Sequence, residues 1–448
     1  MTPLLPWAVL AGFVASLPYW LPKVIVAARL RIFAWVNGGE GITVDVRHFK
    51  EVYADPAADG RSCGAGLSDL FWYWLSPGAQ LHQEHLEPGE RYREIARTTR
   101  RILARRLPDA ERLAARCVAR CLDEHETGTV ALVRLRDLMM PVWAEFYYEL
   151  VFGEPCDPLA RKLIVANADD VVTALKCCGL RHMGRRDRLT DYLIDKLRRD
   201  GIPHELPSRL SLQERALYLQ GTYFNTAVVQ SAEAMAHLLL ALAQHRDVRD
   251  RLAAEPDDGG YLGRVMDEAL RLYPLFGIAH RISSAEISVA DQVIPAGSVL
   301  LFNYQDYHRF GFVDADRFDP DRWLTLSHRD AHHIPFGVAA NRPCPAQGLA
   351  PVAMRAVVRE VVRRYDLFSS AAHTRSMPNR GPCLLVPRTS RLPAGTRWGL
   401  LAFIRVRDRW EDVWRSVVQL VLGTYMVWHA RRLRLCQRYF DKQEIGRT

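Results

Sequence analysis

The residues 335–348, Pro335-Phe336-Gly337-Val338-Ala339-Ala340-Asn341-Arg342-Pro343-Cys344-Pro345-Ala346-Gln347-Gly348, set one cysteine in an apolar loop of small side chains. A helical pattern follows directly over 349–365. Pro345 stands where a first helical residue would be, a position that suits proline. The spacing therefore predicts that the Cys344 sulfur lies at the positive end of a helix with Arg342 beside it, and both features favour thiolate over thiol. A lone stabilised thiolate in an apolar loop suits axial ligation of haem iron, where sulfur pushes electron density toward bound oxygen. The loop also fits a buried, inert cysteine ahead of an ordinary helix.

Upstream segments bear on that choice. Asp267-Glu268-Ala269-Leu270-Arg271-Leu272-Tyr273-Pro274 carries Glu268 and Arg271 three residues apart, on one helical face. Arg281 follows, ahead of a strand-turn-strand reading over 287–289 and 293–300, then His308-Arg309 and Phe318-Asp319-Pro320-Asp321-Arg322-Trp323. In this order and spacing, ending in the cysteine loop, the chain resembles the cytochrome P-450 superfamily of haem-thiolate enzymes. The resemblance runs over about 42–388 and is strongest over 264–366. It implies a mainly α fold with a small β region, the cytochrome P-450 fold, around one haem b. It also implies Cys344 as iron ligand, Arg281 and Arg342 as propionate partners, Phe336 as the loop aromatic, and a structural charge network of Glu268, Arg271 and Arg322. The loop departs from the family pattern: Phe336 is eight residues before Cys344 where the family has seven, and Ala340 and Ala346 take glycine positions.

The elements that must position this chemistry are helical. Residues 210–245 read as one long apolar helix. Setting His245 to Val248 against the family's end point for this helix lines Thr226-Ala227-Val228-Val229-Gln230-Ser231 up with the motif whose acid and alcohol deliver protons to iron-bound dioxygen. Here those two positions are Val229 and Gln230, and Ala227 is the small residue over the haem. A polar stripe at Thr226, Gln230, Glu233 and His237 shares one face, which makes Gln230 and Glu233 the catalytic candidates; a solvent-facing stripe is the plainer reading. The Arg-rich helix beginning near Gly89 resembles one that reaches a propionate, with Arg93 and Arg97 as candidates. The run Phe71-Trp72-Tyr73-Trp74 falls where the family roofs its active site, although such a run also suits plain core.

Composition bounds the rest. The 448 residues are 49% hydrophobic and 25% charged, which is globular, and the formal net charge is +9. No aromatic-interleaved basic strand or zinc-finger spacing accompanies that charge, which argues against nucleic acid and for a membrane surface or an acidic protein partner. Nine cysteines without a Cys-x-x-Cys pair read as free thiols in a reducing compartment. Residues 4–22 are uncharged, with Lys23, Arg29 and Arg31 after them. This predicts a retained membrane anchor or membrane-dipping segment over 1–31, with the body facing the cytoplasm. Pro6, Pro18 and Pro22 argue against an ideal span. The haem domain is expected over 42–388. An extension follows over 389–448, whose residues 412–431 are read as an interfacial helix or as a helix packed back on the body.

The combined expectation is a divergent, bacterial-type haem-thiolate monooxygenase acting on an apolar small molecule. Because no flavin or nicotinamide fingerprint lies in the chain, its electrons come from a separate ferredoxin or flavoprotein reductase. With neither acid nor alcohol at 229 and 230, a peroxygenase, an isomerase or dehydratase, or a non-catalytic haem protein are the alternatives.

Overall fold

Apolar residues at helical spacing recur along most of the chain, and in the computed structural model helices carry most of its length. Residues 4–36, 39, 41–124, 128–290, 292–327 and 331–445 are described. In chain order come α1 (Leu4–Val36), β1 (Gly41–Thr43), α2 (Phe49–Ala54), α3 (Gly66–Leu75), α4 (Glu90–Leu103), α5 (Leu107–Asp123), β2 (Ala131–Arg134) and α6 (Leu135–Phe152). Then follow α7 (Pro158–Leu175), α8 (Met183–Arg199), α9 (Leu212–Leu219), α10 (Val228–Gln244), α11 (Arg246–Ala254) and α12 (Gly259–Leu272). The rest is β3 (Ile278–Ile282), β4 (Ile287–Val289), β5 (Gln292–Ile294), β6 (Val299–Asn303), α13 (Tyr304–Tyr307), α14 (Ala350–Arg364), β7 (Tyr365–Phe368), β8 (Pro382–Pro387), α15 (Ala394–Leu433) and α16 (Leu435–Ile445).

The central element is α10, almost wholly buried and packed against α6, α12 and α14. It continues α9 through a π-helical stretch, Gln220–Ala227. The start of this long rod is set by a capping box in which Ser211 accepts the Glu214 amide and Glu214 reaches back to the Ser211 amide. Its apolar run is long enough to cross a membrane, but it is buried in the body and is a core helix. The sheets are small. β1 pairs parallel to β6, which pairs antiparallel to β3; β8 lies antiparallel between β2 and β7; β4 and β5 form a hairpin.

The structure alters the strand expectation and decides between alternatives that the sequence left open. The second strand expected over 293–300 divides into β5 and β6, because Pro295 and Gly297, the latter at φ +81°, turn the chain between them. The aromatic run of α3 does not roof a cavity. Trp72 packs on Tyr439 and Phe440 of α16, and Tyr73 hydrogen-bonds His429 of α15 at 3.0 Å. The run holds the C-terminal helices to the body. The extension itself packs back: Asp408 of α15 accepts the Ala372 amide at 2.7 Å and Asn379 Nδ2 at 3.0 Å, and Gln419 donates to the Lys176 carbonyl at 2.9 Å. α1 runs beyond residue 31 to Val36, and β1 begins at Gly41.

Candidate functional site

The cysteine loop is held open by backbone turns. Gly337 sits at φ +77° and Arg342 at φ +50°. The Cys344 amide returns to the Phe336 carbonyl at 2.8 Å, so Phe336 and Cys344 face each other across the loop. Asn341 anchors it, donating to the Asp55 and Ala58 carbonyls at 3.1 Å each and accepting Arg281 Nη1 at 3.0 Å. Both Phe336 and Cys344 line a cavity whose opposite wall is α10 and the π-helical stretch before it.

The electrostatics at Cys344 differ from the sequence expectation. Pro345 is not a first helical residue: α14 begins at Ala350, with Pro351 in its first turn. Arg342 turns toward Asp59, 2.7 Å away, donates to the Leu86 carbonyl at 2.6 Å and lies over the Tyr92 ring at 3.8 Å. Burial then pushes the Cys344 thiol up to about 11, the Ala346 amide drawing it down and Glu84 pushing it further up. Neither a helix end nor Arg342 prepares a thiolate here; a coordinated metal ion would have to take the proton's place.

Opposite the cysteine, Thr226, Ala227, Gln230, Ser231 and Ala234 face the cavity. The π-helical stretch widens the helix here, a feature frequent at functional sites. Glu233 does not share that face. Its carboxylate is buried between Arg136 Nη1 at 2.8 Å and Lys176 Nζ at 2.7 Å. His237 likewise points away, stacked on Tyr273 and 3.0 Å from His373 Nε2. The stripe of four polar residues is therefore divided, Thr226 and Gln230 toward the cavity, Glu233 and His237 into the protein, and Glu233 is no proton source for the cavity.

The cavity margin carries a buried cluster of arginines. Arg281 is buried over the Tyr53 ring at 4.0 Å and donates to Asn341 and the Ala58 carbonyl. Arg61 is also buried, and its Nε and Nη2, like Nη2 of Arg342, make no hydrogen bond. Burial, with the charges of Arg281 and Arg342 nearby, brings Arg61 down to about 10. Such orphaned guanidinium nitrogens fit the carboxylates of an anionic ligand. Arg97 takes no part: it is exposed on α4, as is Arg93, while Thr99 of that helix lines the cavity. A flat apolar group with two carboxylates, taken up by a cavity that Leu270, Phe336, Ala346 and Ala227 line, would match this donor set. Haem b fits that description.

Sequence reasoning missed Arg61 and His82. Thr226 donates its hydroxyl proton to the Gly221 carbonyl at 2.8 Å, so it accepts from His82 Nε2–H, which leaves His82 Nδ1 bare and unpartnered. Burial lowers the His82 pKa, so the ring is neutral. Nothing in the local sequence marks either residue, since both reach the site through contacts with distant segments.

Behind the loop, Glu268 accepts Arg271 Nη2 at 2.8 Å, Arg322 Nε at 3.0 Å and Trp323 Nε1 at 3.0 Å, all within the protein. Arg271 also donates to the His308 carbonyl, and His308 Nε2 accepts the Ile334 amide at 3.1 Å. The charge network thus connects directly to the residue before the cysteine loop.

The family model described as Cytochrome P-450 matches residues 181–392. A cyclooctat-9-en-7-ol 5-monooxygenase of Streptomyces melanosporofaciens is 27% identical over 42% of this chain and 47% of its own length. A pentalenene oxygenase of Streptomyces avermitilis is 29% identical over 31% of this chain and 36% of its own. The matched segment is thus less than half of either relative. A zebrafish cytochrome P-450 solved with abiraterone superimposes with a TM-score of 0.62 at 15% identity, covering 77% of this chain and 93% of that one.

Proposed function

The chain is a member of the cytochrome P-450 superfamily, whose cofactor is haem iron, and on that premise we propose that it is a monooxygenase of an apolar small molecule. The observation that carries the proposal is one cavity joining the Cys344 thiol, an apolar wall and Arg342, whose Nη2 is unpaired, with the buried and partly unpaired Arg61 close by. When bound, the haem supplies the redox chemistry, with thiolate sulfur donating electron density to the metal. Cys344 would hold the iron, and Arg61, Arg281 and Arg342 the propionates.

The remaining work falls to side chains of the cavity. Leu103, Leu275, Phe276 and Met354 exclude water and favour an apolar substrate, which agrees with relatives named for an alkene and an alkenol. Gln230 offers an amide that orients a water but releases no proton at neutral pH. Proton movement at the wall falls to His82 Nε2 and Thr226 Oγ1, and to Tyr147 OH, 3.0 Å from Ser231 Oγ. Electrons come from a separate ferredoxin or flavoprotein reductase, and the body sits at a membrane, facing the cytoplasm.

A second reading, a peroxygenase or an isomerase or dehydratase using the same haem, is favoured by one observation: Val229 carries no acid and Glu233 is locked in ion pairs. One experiment tests the shared iron ligand and a second separates the readings. The reduced carbon monoxide spectrum should show the red-shifted thiolate band, lost in Cys344→Ser; its survival would refute the ligand assignment. Turnover across an apolar ligand panel should depend on NADPH and a surrogate reductase; turnover with hydrogen peroxide alone supports the second reading.

A further inference from the structure

Helix α15 has two faces. One is fastened to the body through Asp408, Ser416, Gly423, Met426 and Ala430, which are buried. The opposite face carries Phe403, Val406, Trp410, Trp414, Val417, Val421, Tyr425 and Trp428, spaced 3, 4, 4, 3, 4, 4 and 3 residues apart. That spacing is one stripe of an α-helix. Every one of these side chains is exposed, Trp414 to 69% and Trp428 to 57%. The stripe is about 38 Å long at 1.5 Å per residue. The charges of this helix lie elsewhere around it or, as with Arg407 and Arg432, at the stripe's margins, and no acidic residue interrupts it.

Helix α1 lies alongside. Arg409 Nη1 donates to Tyr19 OH at 2.9 Å, and a Cβ on Gly423 would come within 3.2 Å of the Phe33 ring. The two contacts are fourteen residues apart on each helix, so α1 and α15 run parallel and in contact for about 21 Å. α1 also leaves its apolar residues outward, among them Trp7, Phe13, Trp20 and Trp35, and only 11% of its most apolar window is buried.

We propose that α1 and α15 together form one membrane-docking platform lying in the plane of an anionic bilayer, so that α1 does not cross it. The proposal rests on the membrane association read above and specifies its geometry. A crossing α1 would carry its parallel partner with it, taking Arg405, Asp408, Glu411 and Asp412 into hydrocarbon, where ionised groups are strongly disfavoured. Lying flat, both helices place aromatic residues at headgroup level, where tryptophan and tyrosine are enriched, and the arginines along α15 meet anionic lipid. The Asp408, Gln419 and Tyr73 contacts would then fix the haem body against the surface.

The full-length holoprotein, with an epitope added at its N-terminus, is floated with sealed vesicles of phosphatidylcholine and phosphatidylglycerol. The wild type should float, and protease added outside should remove the epitope completely. The triple variant Trp410→Glu, Trp414→Glu, Trp428→Glu should lower the bound fraction by about ten-fold or more, with the carbon monoxide spectrum unchanged. The same three positions changed to Leu should float as the wild type does. A protected epitope would overturn the in-plane arrangement while leaving membrane association standing. Undiminished flotation of the triple Glu variant, or loss with the Leu variant as well, would overturn the role of the stripe. A wild type that does not float, and instead sediments as a dimer dissociated by the Glu changes, would assign the stripe to a second copy and remove the membrane reading itself.

Discussion

Arg136 Nη1 donates to Glu233 Oε1 at 2.8 Å inside the protein, while Lys176 Nζ holds the second oxygen of the same carboxylate at 2.7 Å. This pairing removes the sole acid of α10 from the cavity and converts it into a tie between α6, α10 and the end of α7.

Glu233→Gln should destabilise the protein by roughly 3–5 kcal/mol, because Arg136 and Lys176 would be left buried without their counter-charge. Burial alone would raise the Glu233 pKa, but Lys176 and Arg136 override it and bring the group down to about 2 from 4.5. A depressed folded-state pKa gives stability that is complete above the unfolded value and drains away as pH falls toward the folded one. The melting-temperature difference between wild type and Glu233→Gln should therefore shrink below about pH 4.5. A difference independent of pH would contradict the assignment.

Arg61 and Arg97 make opposite predictions. Arg61→Met should release haem to an apo-globin acceptor at least several-fold faster, since its buried unpaired nitrogens would be available to hold a propionate. Arg97→Met should leave that rate unchanged, because Arg97 is exposed on α4. Equal rates in all three proteins would exclude Arg61 as an anchor.

Gln230→Leu should divert reducing equivalents to hydrogen peroxide, lowering product per electron by about ten-fold or more, with haem content unaltered. Thr226→Val, which strips His82 of its partner, should act in the same direction. Gln230→Thr should be tolerated. Unchanged coupling in both Gln230→Leu and Thr226→Val would mean that protons reach the cavity elsewhere, the Tyr147–Ser231 pair being next to test.

Glu268→Ala should be severe, on the order of 3–5 kcal/mol, because it leaves the fully buried Arg271 without its counter-charge. Since Arg271 reaches the cysteine loop through His308 and Ile334, haem incorporation should fall with stability in thermal melts. Haem content that stays at wild-type level while stability collapses would separate the network from the loop.

The sequence by itself determined the parts whose chemistry is local or strongly patterned. Glu268 and Arg271 are one helical turn apart, so their pairing follows from spacing. The order from there through Arg322 to Cys344 carried the family resemblance, and it was that resemblance which implied the mainly α fold. Tertiary structure decided the rest, because a residue's face is set by what packs around it. Glu233 is turned inward by Arg136 and Lys176, which come from other helices far along the chain. Arg61 and His82 reach the site only through long-range contacts, and α3 spends its aromatic run on helices that follow some 350 residues later. The same physics sets the thiol at Cys344: sequence places it near a helix, but the start of α14 at Ala350 and burial of the loop determine its charge.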